Sequence, residues 1–309
     1  MAALKLKVPI RSATGGRPAA ACEITHEGVT AAATPAAGQP PVYAAEPFAA
    51  GSLQPGLLEA NVANHAAVSA AIRSALGQVQ PRLKAVTVVV PDAAVRVFLL
   101  DFDTMPSKSE EALPVLRFRL RKSVPFDVEQ AGISYQVLSE GSSRLETQWK
   151  VLAAVIPGPV LAEYEAVVRM AGYEPGAVLP ASLASLAAID SQEAVLVVNL
   201  SANALSTSIV SGNDILLYRT VELPPDPLDQ QAEVQRSIAV AAAYFEDKLQ
   251  VRPHRLLYSG TLPAREFAVM MDDAELAVGE VVPKPATGIA SAFGHQSLAA
   301  VTGVLVETN

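Results

Sequence analysis

The sequence contains very few residues that could cross-link the chain or bind a metal ion. Its single cysteine, Cys22, excludes a disulfide within the chain, and no Cys-x-x-Cys pair is present. A Gly-x-Ser-x-Gly nucleophile turn is absent as well. None of the histidines has the spacing of a zinc-binding pair; they are His26, His65, His254 and His295. We therefore predict no metal site and no catalytic residue.

Long apolar runs and an excess of basic residues are also missing. No stretch reaches the roughly 18 consecutive apolar residues of a transmembrane helix. The basic start at Lys5, Lys7 and Arg11 lacks the apolar core of a signal peptide. The net charge of -8 opposes binding to nucleic acid, which is itself a polyanion. We expect a cytoplasmic protein with no nucleic-acid partner.

The apolar residues that are present are mostly small. Hydrophobic residues make up 50% of the chain and aromatic residues only 5%, so the core must be built largely on alanine and valine. A chain of 309 residues is long enough for two ordinary domains. Strand-like and helix-like stretches follow the same order in both halves. This repetition predicts an α/β fold made of two units related by internal duplication.

The predicted elements of the first half are strands at 19–25, 29–34, 42–46 and 85–90 and a helix at 61–79. In the middle we predict strands at 95–102, 131–138 and 147–156, with a turn at Gly141-Ser142-Ser143, and helices at 107–124, 160–172 and 181–189. The second half has predicted strands at 195–200, 206–210, 214–223 and 254–260, helices at 230–249 and 263–272, and a final apolar segment at 297–307. Ser107 or Ser109 is expected to cap the helix at 107–124.

Three stretches carry a resemblance to a known family. They are LRFRLRKSVPFDVEQAGISYQVL (116–138), VLAAVIPGPVLAEYEAVVRMAGYEPGAVLPASLASLAAI (151–189) and EVQRSIAVAAAYFED (233–247). With these stretches in this order, the chain resembles PilM-type pilus assembly proteins, relatives of the cell-division protein FtsA in the actin-like ATPase superfamily. The resemblance implies an α/β, actin-like (ribonuclease H-like) fold with two lobes and a subdomain inserted in the first lobe.

The same resemblance divides the chain. Residues 1–18 are expected to be an irregular lead-in. Residues 19–91 and 147–191 would form the first lobe, residues 92–146 the inserted subdomain, and residues 192–309 the second lobe.

Actin-like ATPases hold ATP and Mg²⁺ between two hairpins that begin with an Asp-x-Gly pattern. The glycine lets backbone N–H groups approach the phosphates, and the aspartate helps to hold the cation. In this sequence Glu23 and Thr25 occupy those places in the first lobe, while Asn199 and Ser201 occupy them in the second. We therefore expect no cofactor, or ATP and Mg²⁺ bound only weakly. The resemblance places these residues in the cofactor site: Glu23, Thr25, Asn199, Ser201, Asn203, Ser206, Ser259 and Gly260.

A basic cluster stands out in this acidic protein, at the end of the helix predicted for 107–124. In the resembled family the inserted subdomain borders a groove for a partner's tail, which implies a docking role for Arg117, Phe118, Arg121 and Phe126. The implied partner is the N-terminal tail of a single-pass inner-membrane pilus assembly protein (PilN-like). The chain would then reach the inner-membrane face only through that partner. A solvated helix face explains the same charges without any partner.

The predicted function is a cytoplasmic scaffold of a type IV pilus or related secretion machine, without ATP turnover. Three alternatives stay open: an active actin-like ATPase with altered phosphate loops, the cytoplasmic component of a type II secretion system, and a sugar kinase of the same superfamily. The kinase would need a catalytic aspartate in a polar loop, and none can be placed.

Overall fold

The computed structural model describes residues 18–35, 39–139, 148–212, 214–273, 275–283 and 296–306. Most of the predicted lead-in, the turn predicted at Gly141-Ser142-Ser143 and the histidine His295 lie outside these ranges.

The strands in chain order are β1 (Ala20–Ile24), β2 (Gly28–Ala33), β3 (Val42–Pro47), β4 (Ala85–Val90), β5 (Arg96–Phe102), β6 (Gly132–Ser139), β7 (Trp149–Ile156), β8 (Glu174–Pro180), β9 (Val195–Leu200), β10 (Ala204–Ser211), β11 (Asp214–Glu222), β12 (Arg255–Gly260) and β13 (Ala277–Glu280). The helices are α1 (His65–Val79), α2 (Ser109–Leu120), α3 (Gly158–Met170), α4 (Ala181–Leu186), α5 (Pro227–Leu249), α6 (Ala264–Met271) and α7 (Ala299–Val306), and a 3₁₀ turn covers Asp92–Ala94.

Two five-stranded sheets of identical topology form the two lobes. The first has the strand order β3-β2-β1-β4-β8 and the second β11-β10-β9-β12-β13. In each sheet an antiparallel meander is followed by two strands parallel to its first strand. The helices α1 and α5 hold equivalent places before the fourth strand. This shared order is what the predicted duplication requires.

The inserted subdomain is a three-stranded antiparallel sheet, in the order β5-β7-β6, with α2 packed on it. It stands between β4 and α3, and no counterpart interrupts the described part of the second lobe. The predicted cap of α2 is wrong, because Lys108 is the N-cap residue and its side chain makes no capping bond. The chain is still extended at Lys108, so Ser109 falls inside the first turn, where its hydroxyl accepts a hydrogen bond from Tyr135.

The C-terminal apolar segment is a helix, α7, which the sequence pattern left unassigned. It packs against α4 and against β1 and β2 of the first lobe. Gly303 makes this close packing possible, since a Cβ atom there would lie 1.9 Å from the carbonyl oxygen of Ala184. The short edge strand β13 was also not predicted. No helix among the described residues has the length and apolar character needed to cross a bilayer.

Candidate functional site

The turns β1–β2 and β9–β10 face each other across a cavity between the two lobes. Six of the eight residues predicted for the cofactor site line it: Glu23, Thr25, Asn199, Ser201, Asn203 and Gly260. Ser206 and Ser259 lie behind them and bond to other polar groups of the site. The cavity volume is about 40 Å³, which is room for a few water molecules, whereas ligand pockets commonly measure about 300 to 1,000 Å³.

Both turns are closed by a hydroxyl group at the place where a phosphate loop would carry glycine. Thr25 Oγ1 accepts hydrogen bonds from the backbone N–H groups of Glu27 and Gly28, each at 3.3 Å. Ser201 Oγ accepts from the N–H of Ala204 at 3.1 Å. Thr25 and Ser201 hold equivalent places in the two lobes and bond in the same way. The backbone N–H groups of Glu27, Gly28 and Ala204 are therefore already bonded within the turns.

Glu23 is a buried carboxyl group on the wall of the cavity. Its side chain is 92% buried, as its residue is only 8% exposed, and no described residue donates a hydrogen bond to it. Burial, together with the neighbouring Asp92 carboxylate, raises the pKa of Glu23 to about 8. In the absence of a cation the group therefore favours its protonated form near pH 7. Among the described residues no group of three acidic, histidine or cysteine side chains is arranged to hold a metal ion.

Asp92 is the centre of a hydrogen-bond network that joins the lobes. Its Oδ1 accepts from the backbone N–H of Ser182 at 3.1 Å and from the Ser182 hydroxyl at 2.8 Å. Its Oδ2 accepts from the hydroxyl of Ser206, in the second lobe, at 2.9 Å. The Tyr218 hydroxyl bonds to Ser182 and adds a second link between the lobes. Burial raises the pKa of Asp92, and the hydrogen bonds from Ser182 and Ser206 oppose that rise.

Sequence reasoning missed Asp92, although a usable signal exists. The residue follows the buried strand β4 after Pro91, at the carboxyl end of a parallel strand. Functional residues of α/β sheets gather at that edge. The prediction instead placed Asp92 at the start of the inserted subdomain and gave it no role.

The remaining predicted residues have structural partners of their own. Asn199 Nδ2 donates to Ser259 Oγ at 2.9 Å across the neighbouring strands β9 and β12. A Cβ atom on Gly260 would lie 2.5 Å from the carbonyl oxygen of Leu200, so glycine is required here by the fold. Asn203 Nδ2 donates to the carbonyl oxygen of Pro55 in the first lobe at 2.7 Å.

A second, larger concavity lies between the inserted subdomain and the first lobe. We call it the subdomain groove; its volume is about 430 Å³. Strand β6 borders it on one side and β8 on the other, and each is the last strand of its sheet among the described residues. Most of the lining is apolar, including Val90, Val95, Ile133, Leu161 and Leu179.

The four predicted docking residues separate in the structure. Arg117 lines the subdomain groove, and its guanidinium donates to the carbonyl oxygens of Val128 and Ala131. Arg121 forms an exposed ion pair with Glu129 at 2.7 Å. Phe118 is 77% exposed, while Phe126 packs on the apolar core of the inserted subdomain. Of the four, only Arg117 borders the groove.

Comparison with known proteins identifies the architecture. No protein-family model and no curated protein sequence matches the chain. A chain of the solved PilM–PilN type IV pilus biogenesis complex superposes with a TM-score of 0.72 and 18% identity, over 95% of this chain and 99% of that one. The chain has an actin-like fold. The predicted fold class is thus confirmed, as is the resemblance to PilM-type proteins at the level of structure.

Two further solved structures share this fold at lower similarity. The cytoplasmic domain of EpsL, an inner-membrane component of the type II secretion system of Vibrio cholerae, has a TM-score of 0.53 and 13% identity over 94% of this chain and 95% of that one. A protein of unknown function from Bacteroides thetaiotaomicron with an actin-like ATPase fold has a TM-score of 0.50 and 10% identity, over 97% and 99%.

Replacing Asp92 tests the network between the lobes. We expect Asp92→Ala to lower the free energy of unfolding by about 3 kcal/mol, because it leaves buried hydroxyl and N–H groups without an acceptor. Asp92→Asn should cost only about 1 kcal/mol, since the amide oxygen still accepts from Ser182 and the Ser206 hydroxyl can reverse. Denaturant unfolding measures both values. Equal losses in the two variants would contradict the assigned hydrogen bonds.

The raised pKa of Glu23 predicts a pH dependence of stability. Between about 4.5, its ordinary value, and about 8, the folded chain holds a proton that the unfolded chain releases. Stability should therefore fall as pH rises through this window, by at most about 1.4 kcal/mol per pH unit, and level off above it. Glu23→Gln should lack this contribution. Parallel curves of unfolding free energy against pH for the two proteins would refute the prediction.

Proposed function

We propose that the chain is a cytoplasmic scaffold of a type IV pilus machine, binding the N-terminal tail of a PilN-like inner-membrane protein without turning over ATP. The observation that carries the proposal is the similarity to a chain of the PilM–PilN complex over nearly the whole length of both chains. The subdomain groove is the surface that we assign to the tail. Recruitment to the inner-membrane face follows from the partner.

The subdomain groove suits an extended apolar peptide. Strands β6 and β8 present their outer edges to it, and a strand with a free edge accepts an added strand through backbone hydrogen bonds. Pro175 and Pro180 have no N–H group, so β6 is the more regular template of the two. The apolar lining then offers contacts for alternate side chains of the peptide, and Arg117 and Glu165 provide charges at its border.

The state of the interlobe site supports a role without ATP turnover. The hydroxyls of Thr25 and Ser201 occupy backbone donors of both turns, and Glu23, whose pKa is raised by burial, is a weaker Mg²⁺ ligand than an ordinary carboxylate because it must first lose its proton. The lobes are also held together by Asp92, around a cavity smaller than a nucleotide.

A second candidate is the cytoplasmic component of a type II secretion system. The similarity to the cytoplasmic domain of EpsL favours it, although the TM-score of 0.53 is lower than that for the pilus complex. Both candidates share a cytoplasmic actin-like scaffold, and the identity of the bound tail separates them.

Filling the groove should abolish binding of the tail. We expect a synthetic peptide of the cytoplasmic tail to bind the full chain in calorimetry, and Ser134→Trp, on β6, to raise Kd at least tenfold by occupying the groove. Ser134 is a better target than Arg117, which holds the carbonyl groups of Val128 and Ala131. The matched control is Arg119→Glu on the exposed face of α2.

Equal peptide affinity for Ser134→Trp and the unchanged protein would place the tail elsewhere. A thermal unfolding midpoint within a few degrees of the unchanged protein verifies that the variant is folded. Comparing tails from pilus and type II secretion partners decides between the two machines.

Titration with ATP and Mg²⁺ tests the absence of turnover. We expect no saturable heat up to about 1 mM ATP and no release of phosphate, because the phosphate donors and the cation ligand are unavailable. Saturable, Mg²⁺-dependent binding with phosphate release would instead establish the active-ATPase alternative.

A further inference from the structure

One end of the first lobe concentrates unpaired basic side chains around two exposed apolar ones. Strands β1, β4 and β8 are parallel, so their first residues meet at the same end of the sheet. The loop before β4 and the loop before β8 therefore lie side by side there. We call this surface the basic end; it consists of Arg73, Arg82, Leu83, Lys84 and Met170.

Direct contacts hold the basic end together. Arg73, on α1, donates through Nη2 to the carbonyl oxygen of Met170 at 2.6 Å, at the end of α3. The backbone N–H of Glu174 donates to the carbonyl oxygen of Lys84 at 2.8 Å. Lys84 Nζ also lies 4.9 Å from the centre of the Tyr173 ring, a cation–π distance. Residues from four places in the sequence thus form one surface.

The charges of the basic end are not neutralised by the described part of the chain. Arg73, Arg82 and Lys84 form no ion pair with any described carboxylate, whereas five of the ten other described arginines do. Glu174 is the exposed acidic residue next to Lys84. Excess positive charge at one place is unusual in a protein with a net charge of -8.

Two large apolar side chains stand among these charges. Leu83 is 68% exposed and Met170 is 50% exposed. A single exposed leucine needs no explanation. Apolar side chains interleaved with Lys and Arg, however, have the composition of surfaces that lie at the boundary between headgroups and acyl chains.

The N-terminal sequence adds to the same charge pattern. Residues 1–22 contain Lys5, Lys7, Arg11 and Arg17 and no acidic residue. The chain enters the described part at Pro18, which lies against Gly176, because a Cβ atom on Gly176 would be 2.8 Å from the Pro18 ring. Gly176 is two residues from Glu174, so the chain enters the first lobe beside the basic end.

We propose that the basic end binds the surface of an anionic lipid bilayer directly, with Leu83 and Met170 entering the headgroup layer. A cluster of Lys and Arg is attracted by anionic lipids, and apolar side chains beside the charges add hydrophobic anchoring. This goes beyond the expectation that the chain reaches the membrane only through its partner. An acidic protein would also attract the charges, but it does not account for the exposed apolar pair.

The position of the subdomain groove agrees with a bilayer at the basic end. Pro175 and Gly176 line the groove and directly follow Glu174. A bilayer at the basic end would therefore lie close to one mouth of the groove, where a tail leaving a membrane helix could enter. Lipid binding itself requires no partner, so it can fail or succeed independently of the proposed function.

Vesicle co-sedimentation of the full chain, without any partner, tests the proposal. We expect binding to vesicles of phosphatidylglycerol and phosphatidylcholine, little binding to phosphatidylcholine alone, and weakening as salt rises from about 0.05 to 0.3 M. Arg82→Glu with Lys84→Glu should lower the partition coefficient at least tenfold. Leu83→Asp should lower it severalfold while the two basic residues remain.

The matched control is Arg119→Glu with Lys122→Glu, which makes the same change in net charge at exposed positions of the inserted subdomain. This control should keep most of the binding. Equal losses of vesicle binding in both double variants would show that only the net charge matters, and would overturn the proposal. So would the absence of binding to anionic vesicles, or an unchanged partition coefficient in Leu83→Asp.

Discussion

The architecture depends on one buried carboxylate, that of Asp92. Its two oxygen atoms accept hydrogen bonds from the first lobe, through Ser182, and from the second lobe, through Ser206. A buried charge is costly unless each of its lone pairs has a donor. The two lobes must therefore keep their relative position for this carboxylate to remain hydrogen-bonded. The bond from the Ser182 N–H also places the carboxylate at the start of α4, where the helix dipole favours negative charge.

The two turns at the interlobe cavity are held by polar groups of the chain itself. The two turns keep the shape of phosphate loops, yet Thr25 and Ser201 turn their backbone donors inward. Gly260 is needed by the close approach of Leu200 and Tyr258, whether or not a nucleotide is present. The backbone shape of these turns therefore requires only polar groups that bond to one another.

The sequence predicted the local features well and the long-range ones poorly. Continuous apolar runs and turn signals located β4, β9 and the two hairpin turns, because these depend on neighbours in the chain. The cap of α2 was misplaced by one residue, which is a usual error at helix ends. Asp92 was missed because its hydrogen-bond partners Ser182 and Ser206 lie 90 and 114 positions away. Nor could spacing reveal that Arg117 faces a groove while Phe118 faces water.

The interlobe cavity and the subdomain groove meet at a single segment of chain. Val90 and Val95 line the subdomain groove, while Pro91 and Asp92, between them, line the interlobe cavity. The 3₁₀ turn at Asp92–Ala94 thus connects the wall of the interlobe cavity to Val95 in the wall of the groove. Because the hydrogen bonds of Asp92 hold this turn to both lobes, the adjoining wall of the groove is held as well. A rigid groove loses less conformational freedom when a peptide binds, which raises affinity without any new contact. The hydrogen bonds between the lobes therefore also stabilise one wall of the groove.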